Sequence, residues 1–166
     1  MADVDTAIKY VLGFEDSTLS GRITVDAGGR TRFGIAEKFH PELQNSLFYT
    51  SMGSEAALKI AQSIYRREYA DPLWIDHMSN QNIANKMTSL AVNVGVHRAS
   101  VWLQSVLKVQ GDGRIGPLTL MALADADPLI VLADLKAQAE QFYISDVQKH
   151  PEFEEYLNGW LARARA

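Results

Sequence analysis

The stretch GFEDSTLSGRITVDAGGRTRFGIAEKF, residues 13–39, is where the helical pattern of this chain gives way. Before it, Val4, Ala7, Ile8, Val11 and Leu12 recur at i, i+3, i+4, i+7 and i+8, the spacing of one helical face. Asp3 and Asp5 stand where the positive end of a helix dipole favours acids, so a first helix is predicted over residues 3–14. From residue 17 to residue 34 the period breaks. Ser20-Gly21 and Ala27-Gly28-Gly29 are turn chemistry, and RITV (residues 22–25) alternates with β-branched residues, so a small hairpin or irregular β-segment is expected.

Beyond it the chain returns to helices. Ser54 is placed to cap one carrying Leu58, Ala61, Ile64 and Tyr65, which Asp71-Pro72 should close, since a residue before proline avoids the helical region. Ser79 or Asn80 opens another with Ile83, Met87, Leu90, Ala91 and Val94 inward, interrupted at Gly95. HRASVWLQSVLKV continues helically through Ala99, Trp102, Leu103 and Val106, and QGDGRIGPLT is a turn after which Pro117 suits a first helical position. Asp127-Pro128 repeats that device for a helix with Leu129, Leu132, Leu135, Ala139, Phe142 and Tyr143 inward, and a last short helix is expected over residues 152–163. No fixed-period repeat and no linker appear. The fold class is α+β, predominantly helical, around one small β-element near the N-terminus.

At 166 residues the chain is long enough for one domain with a real core, or two lobes sharing one. Its formal net charge of −4 gives no global field toward nucleic acid or anionic membranes. There is no cysteine, so disulfides, thiolate nucleophiles and cysteine metal sites are excluded. MADVDTAIKYVLGFEDS carries acids where a secretory signal carries basic residues, and its apolar positions are spaced. It is expected to be neither signal peptide nor membrane span, on a chain made in the cytoplasm.

Three residues stand out for chemistry. Glu15 falls at the C-terminal end of the first helix, beside Phe14, where the negative dipole end disfavours a carboxylate. A carboxyl kept protonated there could act as a general acid; equally, it could be a solvated side chain where the helix frays. Asp26 and Thr31, if the irregular segment folds back toward Glu15, would supply a carboxylate and a hydroxyl opposite the acid, the equipment for glycoside hydrolysis. Otherwise Asp26 closes an Asx-turn before Gly28-Gly29, and Thr31 is an ordinary strand residue. His40, His77, His97 and His150 are isolated and lack metal-site spacing; Gly28, Gly29 and Gly34 form neither a dinucleotide fingerprint nor a P-loop; there is no G-x-S-x-G elbow. Neither metal nor other cofactor is expected.

The set resembles glycoside hydrolase family 108, the N-acetylmuramidases of phage endolysins and prophage lysozymes. Its members carry a helix ending in a catalytic Glu, usually within E-G-G-Y, then D-x-G-G-x-T-x-x-G-I. Glu15 matches the first and DAGGRTRFGI (residues 26–35) the second, whereas EDSTLSG replaces E-G-G-Y with about two extra residues before Asp26. AQSIYRREYADPLWIDHM resembles the family's A-x-x-I-Y-x-x-x-Y-W-D-P, with Ala70 in place of its tryptophan. AVNVGVHRASVWLQSVLKVQGDGRIGPLTLMAL (residues 91–123) resembles the peptidoglycan-binding half through V-N-x-G, L-Q and D-G-x-x-G-P-x-T, and GWLARA (residues 159–164) the closing G-W-L-x-R.

The resemblance implies a lysozyme-like fold of two lobes, a catalytic one over residues 1–90 and a helical peptidoglycan-binding-like one over residues 91–166, packed as one body. It implies a peptidoglycan hydrolase cleaving between N-acetylmuramic acid and N-acetylglucosamine, with Glu15 as general acid and Asp26 and Thr31 as participants. Asn93 could hydrogen-bond sugar, or simply stand near the helix break at Gly95. The expected partner is the peptidoglycan glycan strand, met by a monomer without nucleic acid and without membrane insertion, reaching the wall by holin-type release or dedicated export. The alternatives are a lytic transglycosylase using the same Glu and a non-catalytic peptidoglycan-binding protein.

Overall fold

Asp3 starts the first helix. Its carboxylate accepts from the Thr6 amide at 2.6 Å, replacing a partner that a helix start lacks, and α1 runs Val4–Glu15. The structure, a computed structural model, describes the chain except residues 27 and 28, and of Asp26 the backbone alone. The predicted face of α1, Val4, Ala7, Ile8, Val11 and Leu12, is buried.

The irregular stretch forms a three-stranded antiparallel sheet, β1 (Thr24–Asp26), β2 (Gly29–Arg32) and β3 (Ile35–Ala36), in that order. Arg32 pairs with Ile35 across Phe33-Gly34, whose φ values of 50° and 76° are both positive, as a two-residue type I′ hairpin turn requires. So small a sheet cannot bury itself; its neighbours hold it. Buried Arg32 donates to the carbonyls of Gly21 (2.8 Å), Phe48 (2.8 Å) and Met52 (2.9 Å). The Tyr65 and Tyr49 hydroxyls donate to the carbonyls of Phe33 (3.1 Å) and Ile35 (3.3 Å).

The remaining helices are α2 (Ser54–Tyr65), α3 (Gln81–Val94), α4 (Val96–Val106), α5 (Pro117–Asp125), α6 (Pro128–Lys149) and α7 (Leu157–Arg165). The caps at Asn80 and Asp127 form as expected. Ser54 does not cap α2: Gly53 holds that position, and the Ser54 hydroxyl donates to the Ser20 carbonyl at 2.7 Å, recruited by the loop after α1. Burial on α6 begins at Val131 and continues through Leu135, Ala139 and Tyr143, so Leu129, expected inward, is 76% exposed. The last helix is preceded by a 3-10 segment, Pro151–Tyr156, where one continuous helix was expected. Helix α3 packs against α1, α4 and α6. It is therefore buried on most of its circumference, Lys86, Thr88 and Ser89 included. Among the described residues no helix is long and apolar enough to cross a membrane.

Candidate active site

Helix α1 ends in Glu15 with no basic residue in its last turn. The negative dipole end and the carboxylate both favour a cation, and Arg163 of α7 supplies it, with Nη1 2.7 Å from Glu15 Oε1. The guanidinium is itself oriented: Nε donates to Ser89 Oγ at 3.2 Å, and its carbon lies 5.0 Å from the centre of the Phe14 ring. Phe14 is 41% exposed. Rather than enclosing the acid, its ring faces the cation, which an aromatic face attracts.

The other carboxylate oxygen lies against the β2–β3 turn. A Cβ on Gly34 would stand 3.1 Å from Glu15 Oε2 and 2.9 Å from its Cγ, and would collide with the Tyr65 hydroxyl. The turn that needs positive φ thus also needs an absent side chain, because the acid and Tyr65 occupy that space. Burial, with the charge of Glu15 adding to it, pushes the Tyr65 hydroxyl well above its ordinary range, so Tyr65 is a neutral donor holding the turn.

Glu15 and Gly34 are shared by two clefts. One, of about 580 Å³, is also lined by His40, Tyr65, Glu68, Tyr69, Asn93 and Arg163. The other, of about 420 Å³, is also lined by Asp16, Thr18, Arg22, Thr24 and Thr31. Glu15 therefore stands where an extended molecule crossing from one cleft to the other would present a bond. Thr31 reaches the second cleft because strand alternation puts it on the face opposite Arg30 and Arg32, which are engaged with Glu37 and the loop carbonyls. Asn93 borders the first cleft. Asp26 ends β1, its backbone paired with Gly29; its side chain lies outside the described residues, as does Gly28.

The other nearby acids have different work. Burial pushes the Asp16 carboxyl up, but the Gly21 and Ser20 amides and the Thr18 and Ser20 hydroxyls outweigh it and hold it below its ordinary value. It is a fixed acceptor organising the loop after α1, with the Gly21 amide at 2.7 Å. Glu37 is held low by its hydrogen bonds from Arg30, which grips both its oxygens. Glu68 borders the first cleft and takes a 2.7 Å bond from Arg67.

Arg163, Tyr65 and Tyr69 also border the first cleft, though no period or spacing in the sequence points to them as site residues. Their signals were present as motif letters without roles, the arginine in GWLARA and the tyrosines in IYRREY.

A small sheet and a helical body thus enclose two adjoining clefts with an acid at their junction, room for an extended molecule. Residues 13–95 match the family model described as Glycosyl hydrolase 108, and residues 98–165 match the one described as Predicted Peptidoglycan domain. The chain belongs to glycosyl hydrolase family 108, and the two matches together make it a peptidoglycan hydrolase. The solved structure of SagA from Brucella abortus is similar in fold, with a TM-score of 0.74, 21% identity, and 98% of this chain and 89% of that one covered. No curated protein matches the chain.

Proposed function

We propose that this hydrolase is a β-1,4-N-acetylmuramidase, cleaving between N-acetylmuramic acid and N-acetylglucosamine with Glu15 as general acid. The observation that carries this reading is the position of Glu15 at the junction of the clefts, Oε1 engaged by Arg163 and Oε2 over Gly34. A glycan strand lies across both clefts, with sugars on the Asn93 side and on the Thr31 side of the acid. With Oε1 engaged by Arg163 in the resting ion pair, Oε2 is the oxygen through which a proton passes to the glycosidic oxygen. The bond between the anomeric carbon and the leaving oxygen breaks as that oxygen takes the proton, and the ring develops oxocarbenium character. Asp26 and Thr31 stabilise that charge or orient the water that adds to the anomeric carbon, and the water's proton passes to an enzyme carboxylate. Asn93 holds sugar across the groove.

Digestion of purified sacculi with mass analysis of the released fragments tests the reading. Fragments ending in reducing N-acetylmuramic acid are expected. Fragments ending in 1,6-anhydro sugar would make the enzyme a lytic transglycosylase, and co-sedimentation with intact sacculi without release would make it a binding module.

A further inference from the structure

Lys86 is an unusual residue for the centre of a helical core. It is 1% exposed, it belongs to a helix enclosed by others on most of its circumference, and among the described residues its ammonium has no carboxylate partner. Nζ instead donates to the carbonyls of Arg163 at 2.9 Å and Ala164 at 2.5 Å. These belong to the last turn of α7, whose carbonyls lack intrahelical partners. The ammonium satisfies two carbonyls that an apolar side chain would leave unpaired, at the cost of burying a charge on which the like charges of Lys136 and Arg163 also act. What an ammonium does and a methionine cannot do is fix the direction of two carbonyls.

The turn so fixed is the one that carries Arg163. One helical turn along α3 from Lys86, Ser89, 2% exposed, accepts from Arg163 Nε at 3.2 Å. Helix α3 therefore holds Arg163 at two points, the backbone through Lys86 and the guanidinium through Ser89. The free end, Nη1, then meets Glu15 Oε1 at 2.7 Å. Arginine has a long, flexible stem, and two fixed points, one on the backbone and one at Nε, are what keep its aim.

We infer that Lys86 and Ser89 are positioning residues for the hydrolytic site, acting on Glu15 through Arg163. The inference rests on the reading of Glu15 as the acid. Misplacing a reacting group by about 1 Å is enough to lose on the order of 10²-fold in rate, so the loss belongs in kcat and not in KM.

The test is a double-mutant cycle on soluble, uncrosslinked peptidoglycan strands, with kcat, KM and the melting temperature measured for each protein. Lys86→Met, Ser89→Ala and Arg163→Met should each lower kcat by about 10- to 10²-fold with KM little changed. Lys86→Met or Ser89→Ala added to Arg163→Met should lower kcat no further. Multiplicative losses, or single variants that keep wild-type kcat, overturn the inference. Should Lys86→Met not fold, Ser89→Ala, which removes one oxygen, carries the same cycle. Glu15→Gln is assayed alongside: a Glu15→Gln enzyme that turns over normally fails the acid assignment itself, whereas an inactive Glu15→Gln with multiplicative cycles fails the positioning inference alone.

Discussion

Gly34 meets two demands at one position. Its φ of 76° belongs to a region that costs an L-residue about 1–2 kcal/mol, and the space a Cβ would fill is taken by Glu15 and Tyr65. Gly34→Ala should therefore lower stability by more than that amount, because the collision adds to the backbone strain, measured by chemical denaturation. It should also displace the carboxyl enough to cut turnover by about 10²-fold. The second loss separates the two demands, because backbone strain alone would lower stability and leave the turnover of the folded fraction intact. Arg163 bears on Glu15 in a related way. At the end of α1 alone, the carboxylate's charge is a local cost of about 0.3–1 kcal/mol. With a guanidinium whose side chain is only 14% exposed at 2.7 Å, that charge becomes a needed counter-ion.

Helix α3 shows how a buried charge leaves a mark on the pH dependence of the fold. Burial pushes the Lys86 ammonium down to about 8, Lys136 of α6 and Arg163 of α7 add to this, and Glu140 of α6 opposes it. In the unfolded chain a lysine titrates near 10.4. Between about 8 and about 10.4 the unfolded state thus binds a proton that the folded state lacks, so this group makes stability rise with pH across that window. Below about 8 its burial cost is fully present. Relative to Lys86→Met, the wild-type protein should gain stability across the window, and a constant difference between the two would contradict this. The elements themselves were largely legible in the sequence, because the signals that set them are local. The apolar period of α1, the caps at Asn80 and Asp127 and the start at Pro117 all act within a few residues. What was not legible depends on distant partners. The Ser54 hydroxyl goes to Ser20 instead of its own helix, and Arg32 is buried because loops far along the chain offer it carbonyls. Of the site, Glu15 could be found as a charge misplaced on its own helix. Arg163, 148 residues away, could be found by no period or spacing.

The hydrolase and peptidoglycan-domain matches meet between residues 95 and 98, where Gly95 both ends α3 and begins α4 without a linker. The part that bears Glu15 takes its cation from α7, and α3 is covered by α4 and α6. A fragment of residues 1–95 would expose Lys86, Ser89 and the outer faces of α3 to water. It should show no cooperative melting and clear no sacculi; a soluble fragment with a sharp thermal transition would mean that the two parts fold independently. The central claim, that Glu15 delivers the proton, is tested most directly by Glu15→Gln, which keeps the shape of the side chain and removes its acidity. General acid catalysis contributes about 10²- to 10⁴-fold. The variant, shown to be folded and expected to melt somewhat lower because Arg163 loses its counter-ion, should release muropeptides from sacculi at least about 10²-fold more slowly than wild type. Release at the wild-type rate by a folded Glu15→Gln protein would contradict the account.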